Sequence, residues 1–107
     1  MFRITDNVIE ITRGDSSPDI KIEIMNNAGE LYELQEGDVL EFTVKKNTTA
    51  RDSLIQKTGG IFALMPDDTS NLKYGSYVYD VQLTLSDGRV ETIIEPSEFI
   101  VAPEVTF

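Results

Sequence analysis

The stretch "GSYVYDVQLTLSDGRVETII", residues 75–94, decides how this chain is read. Tyr77, Tyr79, Val81, Leu83 and Leu85 occupy alternate positions, with Asp80, Gln82 and Thr84 between them. A period of two sends successive side chains to opposite faces, so this is a strand with one buried side, long enough to be central. Asp87-Gly88 follows, a pair that tolerates positive φ between two alternating runs, which is the strongest hairpin signal in the chain.

Working outward, the same alternation recurs. In "PDIKIEIM", Ile20, Ile22 and Ile24 share a face against Lys21 and Glu23; in "DVLEFTVKK", Leu40, Phe42 and Val44 do so. Shorter candidates are "NVIEIT", "SLIQKT", "IFALM", "RVETIIE" and "EFIVA". Gly59-Gly60 predicts a second hairpin, between "SLIQKT" and "IFALM", and "ELYEL" a short edge segment. "PDDTSNL" predicts one helical turn, with Pro66 or Asp67 near its N-cap and acidic groups favourable to its first turn. The pattern predicts an all-β fold, an immunoglobulin-like antiparallel β-sandwich of about seven to nine strands with one short helical turn.

A chain of 107 residues has the length of one domain, expected to span residues 1–107. Nine Lys and Arg against nineteen Asp and Glu leave a formal charge of −10, which repels a phosphate backbone and argues against nucleic acid as a partner. With no Cys there is no disulfide or thiolate metal site, and with no His the commonest general base and metal ligand is missing. The N-terminal "MFRITDNVIEIT" holds no apolar block long enough for a signal peptide, and no segment approaches a membrane span, so a soluble, non-exported chain without membrane contact is expected.

Arg13-Gly14-Asp15-Ser16 is the tetrapeptide that integrins read when a loop presents it. Turn chemistry accounts for the same residues: Gly14 permits a reversal, Asp15, Ser16 and Ser17 bond to nearby backbone, and Pro18 begins the next strand. Glu91, Glu95, Glu98, Asp67 and Asp68 are the candidates for a glycosidase pair, yet they occupy alternating or turn positions where a solvated face is the ordinary reading, and no catalytic residue is assigned. Asp67, Asp68 and Thr69 crowd one loop as oxygen ligands would for calcium; their spacing is not that of an EF-hand, and helix capping is the preferred role, leaving no metal site and no cofactor. Tyr32, Tyr74, Tyr77 and Tyr79 offer rings for stacking on sugars, against which stand the missing Trp and the buried phase of Tyr77 and Tyr79. "SLIQKT" and the C-terminal "EFIVAPEVTF" are expected at sheet edges, open to strand addition unless Lys57 and Pro103 block it.

"DDTSNLKYGSYVYDVQL" resembles the tyrosine corner of immunoglobulin-like sandwiches: an acidic turn, Leu72, Gly75, then Tyr77 entering a long strand, with Tyr79 where antibody domains carry a cysteine. Across its whole length the chain resembles small β-sandwich domains of phages and prophages of Gram-positive bacteria, including the N-terminal domain of phage baseplate upper proteins. The residues behind this are "ITRGDSSPDIKIEI", "LYELQEGDVLEFTVKK", "LKYGSYVYDVQLTLSDGRVETII" and "EFIVAPEVT". Those domains place a Gly-Asp where Gly14-Asp15 stands. The resemblance implies a non-enzymatic structural component of a tail, at the baseplate or a connector, in a virion assembled in the bacterial cytoplasm. Its partners would be other phage structural proteins or further copies of itself. Baseplate upper proteins continue into further chain whereas this sequence ends at Phe107, so both a free-standing component and one domain of a longer chain are implied. The alternative reading is a recognition module for a cell-wall carbohydrate or surface protein.

Overall fold

The computed structural model describes residues 2–103. Within them the elements follow as β1 (Phe2–Thr5), β2 (Val8–Thr12), β3 (Ile20–Lys21), β4 (Val39–Lys45), β5 (Ile55–Thr58), β6 (Ile61–Phe62), α1 (Pro66–Thr69), β7 (Gly75–Thr84) and β8 (Val90–Ala102). One six-stranded sheet runs β1-β2-β8-β7-β4-β5, and β3 and β6 make a second, two-stranded sheet. The fold is all-β, an unequal sandwich with one broad layer and one narrow one.

The alternation of β7 is realised as read: Tyr79, Val81 and Leu83 are buried, Gln82 is exposed, and the strand lies between β4 and β8. Leu40, Phe42 and Val44 of β4 are buried beside it, as are Ile9 and Ile11 of β2 and Phe99 and Val101 of β8. The narrow layer contributes Ile20 and Phe62 to the same core. Phe42 is where the layers meet, with ring centroids 4.8 Å from Phe62, 5.3 Å from Tyr79 and 6.4 Å from Phe99, all tilted rather than stacked flat.

Several expectations are corrected. The broad sheet is mixed, because β2 runs parallel to β8, pairing Ile9 with Phe99 and Ile11 with Val101. A parallel pair needs a long crossover, and here nearly the whole chain lies between the two strands. Phe2–Thr5 is an unpredicted strand joined to β2 through Asp6 and Asn7, whose φ values of 49° and 67° are those of a tight hairpin turn. "RVETIIE" and "EFIVA" are one strand, β8, whose register against β7 shifts twice between Tyr79 and Gln82. Pro96 falls in that irregularity, where its missing N–H breaks no ladder bond. Of the expected edge segment "EFIVAPEVTF", "EFIVA" is therefore interior and residues 104–107 lie outside the described residues; the edges of the broad sheet are β1 and β5.

"PDIKIEIM" keeps its alternate burial, with Ile20 and Ile24 buried and Lys21 and Glu23 exposed, but its ladder is two residues long. Its partner β6 is short because Gly59-Gly60 does not turn a hairpin. Gly59 N–H donates to the Leu40 carbonyl in the broad sheet at 2.9 Å, while Ile22, just past β3 of the narrow sheet, donates its N–H to the Gly60 carbonyl at 2.9 Å. The dipeptide carries the chain from one layer to the other. "ELYEL" contributes only a bridge between Leu31 and Met25. The helical turn is present, with Met65 as its N-cap in place of Pro66 or Asp67, and the Asp68 carboxylate accepts the Met65 N–H at 2.8 Å.

Truncating the ring that joins the layers tests this packing. Phe42→Ala is expected to cost about 3–5 kcal/mol, the range for a buried aromatic, read from urea unfolding of both proteins. A loss below about 1 kcal/mol would contradict the assigned core.

Candidate functional site

The loop bearing Arg13-Gly14-Asp15 is tied to the core. Gly14, at φ 83°, donates its N–H to Thr69 Oγ1 at 2.8 Å, and Thr69 is fully buried. Asp15 N–H donates to the Thr12 carbonyl at 3.0 Å, closing the reversal. Ser17 N–H donates to the Leu64 carbonyl at 2.9 Å, and Leu64 N–H returns a bond to Ser17 Oγ at 2.8 Å. The Arg13 guanidinium lies over the Tyr74 ring, 4.3 Å from its centroid. Arg13, Gly14 and Ser17 are thus held by distant parts of the chain, which is the chemistry of a structural connection.

The tyrosines are similarly engaged. Tyr77 O–H donates to the Lys73 carbonyl four residues upstream at 2.6 Å, the geometry of a tyrosine corner. Leu72 packs against the core edge and donates its N–H to the Thr69 carbonyl at 2.9 Å, and Gly75 opens β7 at φ 142°. Tyr79 is buried and its O–H donates to the Asn7 carbonyl in the β1–β2 turn. Burial pushes its phenol up, so it stays a neutral donor. Tyr32 O–H donates to the Asp38 carboxylate. Tyr74 is half-exposed, and Arg13 covers one face of its ring.

Asp87 and Gly88 turn the β7–β8 hairpin, as a three-residue loop over residues 86–88. Leu85 N–H donates to the Arg89 carbonyl at 2.8 Å, Gly88 N–H to the Leu85 carbonyl at 2.9 Å, and Gly88 takes φ 92°. The Asp87 carboxylate accepts Arg89 N–H at 3.0 Å and pairs with its Nε at 2.9 Å; the backbone bond leads in holding this carboxyl below its ordinary value.

Two of the five carboxylates weighed for chemistry have structural partners, while Glu91 lines a groove. Asp68 pairs with Lys57 at 2.9 Å besides capping α1, and Glu98 accepts Ser76 Oγ–H at 2.7 Å. The Asp67–Thr69 set does not converge as ligands, since Asp68 and Thr69 are already used, and no cluster of three metal-binding side chains occurs among the described residues. Lys57 stands opposite Phe42 on the inner face of edge strand β5, an inward charge of the kind that discourages strand addition. Pro103 is exposed just beyond interior β8 and guards no edge.

Two features had no counterpart in the sequence reading. Asp38 is a clasp: besides Tyr32 it accepts the Gln35 N–H at 2.9 Å and the Ser86 N–H at 3.3 Å. Next to it Gly37, at φ 89°, approaches so closely that a Cβ there would lie 2.8 Å from Ser86 Cβ. The second is a half-open groove of about 260 Å³ between the 24–32 hairpin and the β7–β8 hairpin, lined by Ile24, Met25, Tyr32, Leu83, Leu85 and Glu91 among others. The Asn26 side chain, which accepts the N–H of Ala28 and Glu30, shapes the first bank and was readable as a turn signal; the pairing of the two banks was not.

No protein-family model matches the chain, and neither does any curated protein or solved structure.

Two outcomes follow from this geometry. Thr69→Val leaves the Gly14 N–H without its acceptor, so it is expected to cost about 1–2 kcal/mol and to speed tryptic cleavage after Arg13; unchanged cleavage would show the loop is held otherwise. The Tyr32 bond lowers the Asp38 carboxyl, and the same bond raises the Tyr32 phenol. Its contribution is complete above the unfolded carboxyl value near ~3.9 and below the phenol value near ~10, and fades as pH falls through the lowered Asp38 value or climbs through the raised Tyr32 value. Tyr32→Phe should therefore melt lower than the parent chain near neutral pH and lose less melting temperature on acidification, the two profiles converging as pH falls through the lowered Asp38 value. Parallel acid profiles would refute the clasp.

Proposed function

We propose that the protein is a non-enzymatic structural component of a phage or prophage tail, at the baseplate or a neighbouring connector, acting through protein–protein contacts in the virion. The sequence resemblance suggests the setting. The observation that carries the reading is how the surface is divided. Groups suited to chemistry or adhesion, Arg13, Asp68, Thr69 and the four tyrosines, are engaged within the chain. Large apolar side chains, by contrast, stand exposed: Met25 and Leu31 face each other across a bridge at 60% and 59% exposure, and Ile4 on edge strand β1 is at 48%. Exposed apolar pairs and an unguarded edge suit partner contacts.

The partners in this reading are other phage structural proteins or further copies of the chain, with nucleic acid disfavoured by the charge of −10. The alternative of a sugar-recognition module is less well supported, because every tyrosine that would stack on a glycan has its hydroxyl or a ring face committed.

Mass spectrometry of purified particles from the source tests the proposal directly. The polypeptide is expected at a fixed ratio to other tail proteins through successive gradient purification. Its loss from intact particles during purification would overturn the reading.

A further inference from the structure

We propose that the groove between the 24–32 hairpin and the β7–β8 hairpin receives an extended, basic segment of a partner protein, one in which Lys or Arg flank apolar side chains. This rests on the protein-contact part of the reading above and adds the surface and the chemistry of the partner.

The floor is apolar. Ile24 and Leu83 are buried, Leu85 is half-buried, and Met25 stands exposed at the lip. Tyr32 forms a wall whose position is set in advance, since its hydroxyl is bonded to Asp38, which is itself anchored to Gln35 and Ser86. A preformed wall lowers the ordering cost of binding.

The charge at the groove is acidic: no Lys or Arg is among its lining side chains, and the chain as a whole stands at −10. Glu91 lines the bank formed by the β7–β8 hairpin, and Arg89 beside it is already paired with Asp87. An apolar floor edged by the Glu91 carboxylate, with no lining cation, in a chain of net charge −10 complements an apolar segment flanked by cations. A second copy of this chain, itself at −10, would bring like charges together, and nucleic acid would meet the same repulsion. The polar groups of the Asn26 turn are spent on its own backbone, which leaves charge and apolar contact as the means of recognition.

The probe is the labelled peptide acetyl-KLKFKLK-amide, with acetyl-ELEFELE-amide as its charge-reversed control, titrated by fluorescence anisotropy against the whole chain. The basic peptide is expected to bind, more weakly as salt rises, and the acidic one not to bind. Glu91→Lys and Met25→Lys, both at exposed positions where folding is spared, should each weaken binding by about fivefold or more. Glu98→Lys makes the same charge change as Glu91→Lys away from the groove and should alter binding by less than about twofold.

Equal loss in all three variants would mean general charge attraction and overturn the proposal. So would no binding of the basic peptide, or a self-assembled oligomer in light scattering that the groove variants abolish. The tail reading fails separately: absence from virions leaves a peptide-binding groove intact, and presence in virions with an inert groove leaves the tail reading without this surface.

Discussion

The ring of Phe42 touches both layers of this protein at once, and most of the remaining structure is arranged around that contact. From β4 it meets Phe62 of the narrow sheet and Tyr79 and Phe99 of the broad one. A two-stranded sheet is marginal in isolation, so β3 and β6 depend on the apolar contact that Phe62 and Ile20 make with the broad layer. The chain reaches that layer through Gly59-Gly60, whose N–H and C=O groups serve different sheets. The Lys57–Asp68 pair, whose Lys57 stands opposite Phe42 in register, fastens α1 over the same region, and its side chains are 23% and 21% exposed.

Around this apolar centre, side-chain hydroxyls and carboxylates are spent on backbone groups that the short ladders leave open. Tyr79 reaches past the small Ser97, its register partner, to the Asn7 carbonyl, so the central strand holds the turn of the outermost hairpin. Thr69 takes the Gly14 N–H, Ser17 exchanges bonds with Leu64, and Asp38 collects donors from Gln35 and Ser86. No buried side-chain polar atom among the described residues lacks a partner. Leaving such a group unmet is more costly than the modest net value of making the bond, which is why these residues read as scaffold despite their chemical promise.

The same economy shapes the functional reading. A tetrapeptide known for adhesion and a loop rich in oxygen ligands each resolve into connections once their partners are seen. The surface that stays open is apolar and acidic, at the end of the sheet where the β7–β8 hairpin meets the 24–38 segment. It is this surface that the proposed role in protein–protein contacts would use.

By itself the sequence determined the strand class, the inward positions of β4 and β7, the Asp87-Gly88 turn and the helical turn after Pro66, because each depends on residues adjacent in the chain. Alternation follows from the backbone of a strand whatever it pairs with. Partner choice is different, since every strand offers the same N–H and C=O groups and nothing local says which neighbour takes them. The parallel seating of β2 on β8, the layer change at Gly59-Gly60, the merging of two predicted strands across Pro96 and the bonds from Tyr79 to Asn7 and Thr69 to Gly14 were therefore decided in the tertiary structure. So was the groove, whose two banks lie about fifty residues apart in sequence and meet only because the core packs as it does.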